Sequence, residues 1–374
     1  MAVKRLVLIG GGHSHVEVLR RFGDNPVAGV ELVLVSPRPD TPYSGMLPGW
    51  IAGHYTHEEC HIDLLRLTRF ARCRFVRSAC NGIHADARLV FCENGECLKY
   101  DFVSVDIGSR SPTFDVPGAL EHALSVRPVD CFVQAWENTC RAIAAGRGPG
   151  CIAAVGAGAA GAEVLLAMQH RLGKLAPTAQ VRFKLIGDQA KPLPNHNARV
   201  QSIFTRVLGQ RGVQPHLGVP VRRVDAGAVL LDNGTAIAAD LIVWATGASA
   251  PLWPHSAGMA TDARGFILIN DRLQSVSHPR LFASGDIASM PQHPRPKSGV
   301  FAVRAGPPLA ENLRRALLGE PPLAWKPQHR ALALISTGDR HAIASRGALA
   351  LEGDWVWRWK DRIDRKFMAR YLVD

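Results

Sequence analysis

The sequence has no cysteine after Cys151, no Cys-x-x-Cys pair and no unbroken apolar run long enough to span a membrane. Each absence removes a class of protein. The eight cysteines, at 60, 73, 80, 92, 97, 131, 140 and 151, follow no disulfide-framework spacing and no secretory leader, so a reduced, cytoplasmic chain is expected. The most apolar stretch, 151–169, carries Gly156, Gly158, Gly161 and Glu163, which a lipid-facing helix bears only at considerable cost. The opening run from Leu6 to Ile9 stops at three glycines and reads as a first strand, not a signal peptide. No nucleic-acid-binding pattern accompanies the basic charge, so nucleic acid is not expected as a partner.

What is present is 374 residues, 47% hydrophobic and 20% charged, with a net charge of +12 and a pI near 9.7. That is enough apolar material for roughly two to three domains. The charge suits an anionic cofactor or an anionic membrane surface. The chain also repeats itself. Leu6-Val-Leu-Ile-Gly10-Gly-Gly12 returns as Ile152-Ala-Ala-Val-Gly156-Ala-Gly158, an offset of 146. Arg88-Leu-Val-Phe-Cys-Glu-Asn94-Gly95 returns as Ala228-Val-Leu-Leu-Asp-Asn233-Gly234, and Asp101-Phe-Val-Ser-Val-Asp-Ile-Gly108 as Asp240-Leu-Ile-Val-Trp-Ala-Thr-Gly247, both at an offset of 139. The Asn-Gly pairs predict hairpins whose two central residues take positive φ. The seven-residue difference is ascribed to an insertion in the first half, at Thr41-Pro-Tyr-Ser-Gly-Met-Leu-Pro-Gly-Trp50.

Two such units, each with its own glycine turn, imply two nucleotides. In the second, Gly156-x-Gly158-x-x-Gly161 follows an apolar strand and opens a helix, the context in which backbone N–H groups and a helix N-terminus hold a pyrophosphate. Its next strand ends at Asp188, placed to accept from ribose hydroxyls and so favouring NADH; Lys191 nearby keeps NADPH open. In the first, His15 stands where the third glycine belongs, and the second strand ends in Ser36, with Arg38 beyond it as an adenine or phosphate contact or a solvated loop residue. The later pattern Leu281-Phe-Ala-Ser-Gly285-Asp286 brings a carboxylate to a strand end, where it can accept from the ribityl hydroxyls of FAD.

With these motifs the chain resembles the pyridine nucleotide-disulfide oxidoreductase superfamily over essentially its full length. The fold class expected is α/β, with two Rossmann-like, three-layer dinucleotide-binding domains and a small C-terminal α+β segment. Residues 1–115 and 255–320 are expected to bind FAD, 116–254 to bind NAD(P)H, and 321–374 to form an interface or membrane-association segment. The resemblance, with the flanking residues, implies an FAD set of Gly10, Gly12, His13, Ser14, His15, Ser36, Arg38, Gly108, Gly285 and Asp286. The NAD(P)H set it implies is Gly156, Gly158, Ala159, Ala160, Gly161, Asp188, Thr246 and Gly247. Glu163 falls on the acid such proteins carry near the flavin; a helix-dipole partner is the other reading.

Disulfide reductases of this superfamily need two cysteines about five apart against the flavin. The Thr41–Trp50 loop has none, and Cys92 and Cys97 flank a hairpin. The chain is similar to type II NADH dehydrogenases in Pro42-Tyr43-x-x-Met46-Leu47-Pro48, although the quinone-site glutamines of those enzymes are missing from Gly299-Val-Phe-Ala-Val-Arg304. It is most similar to the flavoprotein domain fused to selenide, water dikinase, in Gly10-Gly-Gly-His-Ser-His15, Tyr43-Ser-Gly-Met-Leu-Pro-Gly49, His61-Ile-Asp-Leu64, Lys297-Ser-Gly-Val-Phe-Ala-Val-Arg304 and Trp359-Lys-Asp-Arg-Ile-Asp-Arg-Lys-Phe-Met368. That implies an enzyme passing hydride from NAD(P)H to FAD and then to a small acceptor, a quinone or a sulfur or selenium compound. Glu163, Lys297, Tyr43 and Pro48 are the expected catalytic residues. A non-catalytic redox sensor is the alternative. No metal is expected: His54, His57 and His61 are read as one polar helix. Trp355, Trp359, Ile363, Phe367 and Tyr371 recur at four-residue steps among Arg and Lys, a stripe that suits peripheral contact with the inner face of a membrane or a homodimer.

Overall fold

Strands that are apolar at consecutive positions must be buried on both faces, and this chain builds them into two parallel sheets. The structure, a computed structural model, describes residues 3–113 and 115–373. Ten strands form the two sheets: β1 (Lys4–Ile9), β2 (Val30–Ser36), β3 (Arg74–Arg77), β4 (Phe102–Val105), β5 (Leu124–Ser125), β6 (Cys151–Val155), β7 (Arg182–Gly187), β8 (Gln214–Leu217), β9 (Leu241–Trp244) and β10 (Leu281–Ala283). The first sheet has the order β10-β4-β1-β2-β3 and the second β5-β9-β6-β7-β8, all neighbours parallel. The internal repeat is therefore a repeat of topology. Only the edge strand differs in origin: the first sheet takes β10 from after the second unit, whereas the second takes β5 from before its glycine turn.

A helix follows each glycine turn, α1 (His13–Asp24) in the first unit. A short helix α2 (Leu47–Ile51) comes next, then α3 (Ala159–Leu175) after the second turn, α4 (Gly299–Leu318), and α5 (Asp354–Met368) near the end of the chain. Beside each sheet lies a three-stranded antiparallel piece, Cys80–His84, Leu89–Cys92 and Cys97–Lys99 in the first half, Val221–Asp225, Ala228–Leu231 and Ala236–Ala238 in the second. A third such sheet, Ala333–Ser336, Ala342–Arg346 and Leu349–Gly353, leads into α5 and forms the small C-terminal α+β segment.

The structure corrects three details. Asn94 and Asn233 do not take positive φ; only Gly95 and Gly234 do, both at +86°. Gly95 N–H donates to Cys92 O and Gly234 N–H to Leu231 O, both at 3.0 Å, so each hairpin is a type I turn closed by a left-handed glycine. Second, the seven-residue difference is a net figure. Gly10 and Gly156 donate to Val35 and Ile186, an offset of 151, and those residues pair with Val76 and His216, an offset of 140. The second half is longer before its second strand, where α3 has 17 residues against 12 in α1. The first half is longer by eleven between β2 and β3, which is where α2 sits. Third, the aromatic stripe divides. Trp355, Trp359 and Ile363 are exposed, while Phe367 and Tyr371 are buried. Four-residue steps drift by about 40° each on an α-helix, and two more steps carry the stripe onto the core.

α2 stands on the first half of the chain, yet Leu47, Ile51 and Ala52 belong to the second unit's core, with Phe132, Leu165 and Ile335. Trp136 Nε1 also donates to Ile51 O (3.3 Å). The segment therefore stitches the two units together.

Candidate functional site

At the first glycine turn Gly10 adopts φ +91°, and any Cβ there would overlap the Asp106 carbonyl oxygen. α1 starts at Gly12 with no side-chain cap of its own. Its first N–H groups turn instead to the buried Asp106 carboxylate, which accepts from Ser14 N (2.8 Å) and His15 N (3.2 Å). The His15 ring is fully buried, bonded through Nδ1 to Gly10 O (2.7 Å) and through Nε2 to Ser104 Oγ (2.8 Å); burial lowers its pKa to about 4. This ring braces the turn where the second unit uses Gly161. The Ser14 hydroxyl donates to Ala302 O (2.8 Å), so both side chains face inward and only their N–H groups are offered to the turn. Ser36 is buried at the end of β2 and donates to Arg38 O (3.1 Å), with Arg38 3.7 Å from Asp40.

Gly285 (φ +67°) and Asp286 follow β10 in a 3₁₀ turn that abuts the same Asp106 carboxylate. Asp286 accepts from Ser109 Oγ (3.2 Å), next to Gly108. Ser284 Oγ is buried without a protein partner. A glycine cradle, a helix N-terminus with no cap from its own N-cap residue and an orphaned hydroxyl fit a dinucleotide. A cavity of about 300 Å³ continues from Ser284, Gly285 and Asp286 past Lys297 to Trp325.

The second turn is more open. A Cβ on Gly161 would overlap Gly156 O, so the helix can approach only with glycine there, whereas Gly158 faces free space. A cavity of about 390 Å³ is lined by Gly156, Gly158, Asp188, Thr246 and Gly247, and does not include Lys191. Thr246 Oγ1 and Trp244 Nε1 are buried there without partners. Ala159 and Ala160 form the first turn of α3. These groups fit a second nucleotide.

Between the units lies a polar cluster. Glu163 lies in the second turn of α3, past the first-turn positions of a helix-dipole partner, and accepts from Ser336 N (2.7 Å). Burial raises its pKa to about 7, against the pull of Lys360. Lys360, buried on α5, donates to Asp364 Oδ2 (2.5 Å) and to Gly45 O. Tyr43 stacks on Phe367 (4.2 Å between centroids), and burial with the nearby Asp364 carboxylate pushes its phenol well up. His13 joins the cluster edge-on to Tyr43 at 5.5 Å, and burial holds its pKa near 4.

Not every expected residue converges. Pro48 is buried within α2. Lys297 turns its ammonium onto Phe266 (3.8 Å from the ring centroid) and donates to Ala288 O (2.5 Å), away from Tyr43; burial lowers its pKa to about 8. His57 and His61 stack at 3.6 Å while His54 faces His170 and Trp357, and among the described residues no His, Cys, Asp or Glu group could hold a metal. The eight cysteines are unpaired, and Cys60, whose carbonyl accepts from Tyr43 N (2.8 Å), has its thiol pushed up to about 12 by burial. Asp106, Arg127, Lys360 and Asp364 were not anticipated. Arg127 joins the two turns: it donates to Gly247 O (3.3 Å) and Ser109 Oγ (3.2 Å) and lies 3.9 Å from Asp286.

No helix among the described residues is long and apolar enough to cross a membrane. The chain is 28% identical over 244 residues to an NADH dehydrogenase-like protein of Mycobacterium tuberculosis (strain H37Rv), covering 62% of this chain and 59% of that protein. It thus spans about three fifths of that relative's length. It is 24% identical over 299 residues to an NADH dehydrogenase-like protein of Bacillus subtilis (strain 168), covering 78% and 79%. Among solved structures, the sulfide:quinone oxidoreductase of Aquifex aeolicus superposes with a TM-score of 0.81 at 19% identity, over 98% of this chain and 91% of that one. The family described as pyridine nucleotide-disulphide oxidoreductase matches residues 4–306, and with its two glycine turns on paired parallel sheets this chain belongs to that family of oxidoreductases.

Proposed function

We propose that the chain is an NAD(P)H dehydrogenase that reduces a small acceptor without a redox-active disulfide. Residues 1–115 and 255–320 hold FAD, and 116–254 hold the nicotinamide nucleotide. The observation that carries this is the cluster of Glu163, Lys360, Asp364 and Tyr43 between the two glycine turns, in which no cysteine takes part. Bound FAD would supply the hydride chemistry that links NAD(P)H to the acceptor. Gly10, Gly12 and the Ser14 and His15 N–H groups take its pyrophosphate, and Asp286 accepts from its ribityl hydroxyls. At the second turn Gly156, Gly158 and the α3 N-terminus take the other pyrophosphate, Thr246 donates, and Asp188 selects NADH over NADPH. Glu163, close to neutrality in its pKa, supplies a proton to the reduced acceptor, and Lys360 balances the charge it leaves. A quinone, polysulfide or oxidised selenium compound is the acceptor class.

Anaerobic stopped-flow absorbance of the flavin band tests this. NADH should bleach the flavin faster than NADPH, and one acceptor of those classes should restore the colour. Slow bleaching with no recovery by any acceptor would support the alternative, a redox sensor. The exposed Trp355, Trp359 and Ile363, flanked by exposed Arg358, Arg362 and Lys366, are proposed as a peripheral contact with anionic lipid. Sedimentation with anionic vesicles should be lost in the W355S/W359S/I363S variant; a concentration-dependent dimer without vesicle binding would assign the face to a second copy instead.

A further inference from the structure

The two glycine turns are built alike, but the strand that faces them is not. The residue directly after β4 is Asp106, and the one after β9, at the matching position, is Ala245. Asp106 sits between the first glycine turn and the 285–287 turn. Its N–H is bonded to Ile9 O (2.9 Å), and its carboxyl fills the space that a side chain on Gly12 or Gly285 would occupy. Its carboxyl accepts from the Ser14 and His15 N–H groups of α1, which are also donors a pyrophosphate requires.

The charges around it offer no compensation. On α1, His13 and His15 are kept neutral by burial. On the 285–287 turn the neighbour is a second carboxylate, Asp286, and the cation that reaches this turn, Arg127, lies against Asp286. Lys297 is directed to Phe266 and Ala288. From α4 the turn meets the uncharged Ala302, while Gly306 packs on Ser14 and on Glu17, whose carboxylate is paired with Arg20 and Arg21. A pyrophosphate dianion placed beside two ionised carboxylates would stand in a pocket with backbone dipoles alone to balance it.

We propose that Asp106 binds FAD as a carboxylic acid, donating its proton to a pyrophosphate oxygen, so that each FAD taken up brings one proton from solvent and the affinity falls as pH rises. The inference rests on the assignment of FAD to the first turn. Burial raises the pKa of Asp106 to about 7 before any ligand is bound, which sets the range in which the linkage is visible. Above it the dissociation constant should climb toward tenfold per pH unit.

The test is calorimetric titration of FAD into the full-length chain stripped of flavin, at about pH 8, in two buffers of different ionisation enthalpy. Wild type should take up close to one proton. Asp106→Asn and Asp106→Ala, the latter copying the second turn, should take up none and should bind with an affinity that barely changes with pH. NADH, which meets Ala245, should bind without proton uptake. Flavin release from the holoprotein on dilution, followed by fluorescence, gives the same pH dependence where stripping is incomplete. A wild type with no uptake and a flat profile, or an Asn variant that keeps the uptake, overturns the proposal. Failure of wild type to bind FAD at any pH removes the FAD assignment itself.

Discussion

Single residues carry much of the chemistry here because their surroundings set their charge. Glu163 is an acid whose folded pKa, about 7, lies above the ordinary 4.5, so the folded state holds its proton more tightly than the unfolded one. Stability tied to that proton is present below about pH 4.5 and is lost as pH rises through about 7. In Glu163→Gln that slope should vanish from the thermal melting temperature. The same variant should lose the rate limb near pH 7 and turn over roughly a hundredfold more slowly below it, within the range of general acid catalysis. An unchanged pH–rate profile would remove Glu163 from the proton path. Glu163 was legible because it follows a glycine fingerprint at a fixed distance. Lys360 and Asp364 were not, because they stood among the charges around an aromatic stripe, and their burial depends on which side of α5 meets Tyr43 and Gly45. Asp106 left a trace, a charged residue opposite Ala245 in an otherwise matched repeat, but the motif there is carried by Gly108, two residues on.

At the scale of elements, the sequence showed the strands and both glycine-turn helices through their apolar runs, since burial on two faces leaves a continuous signal. It showed less well what an insertion does. The loop at Thr41–Trp50 was visible as extra chain with two aromatics and two prolines, yet nothing local states that α2 ends in the other unit's core. Ile51, fully buried there, makes the point testable. Ile51→Ala should cost about 2–5 kcal/mol in urea unfolding, as for a large side chain removed from a core. A cost below about 1 kcal/mol would mean that α2 merely rests on the surface. The hairpins illustrate a finer limit: Asn-Gly located both turns, but the turn type follows from φ at one residue, and the side-chain bonds Asn94 Oδ1 to Glu96 N and Asn233 Oδ1 to Thr235 N were beyond a two-letter signal.

For the molecule as a whole, the two sheets differ in how they close. The second is complete between Leu124 and Trp244, whereas the first needs β10 and the support of α4, more than 150 residues after β4. An excised 116–254 segment should therefore fold cooperatively, at reduced stability, and bind NADH, while 1–115 alone should remain unfolded by circular dichroism and amide dispersion. The reverse outcome would overturn the division into units. This asymmetry was within reach of the sequence, because Gly285-Asp286 lies after the second repeat and yet belongs with the first. The position of Arg127 was not, since no motif marks it and its partners come from three distant segments. One guanidinium spans Ser109, Asp286 and Gly247, so with the two nucleotides seated as proposed, each would be felt at the other's seat. The expected consequence is heterotropic linkage: FAD should shift the affinity for NADH by some factor, NADH must shift that for FAD by the same factor, and Arg127→Ala should bring both toward one.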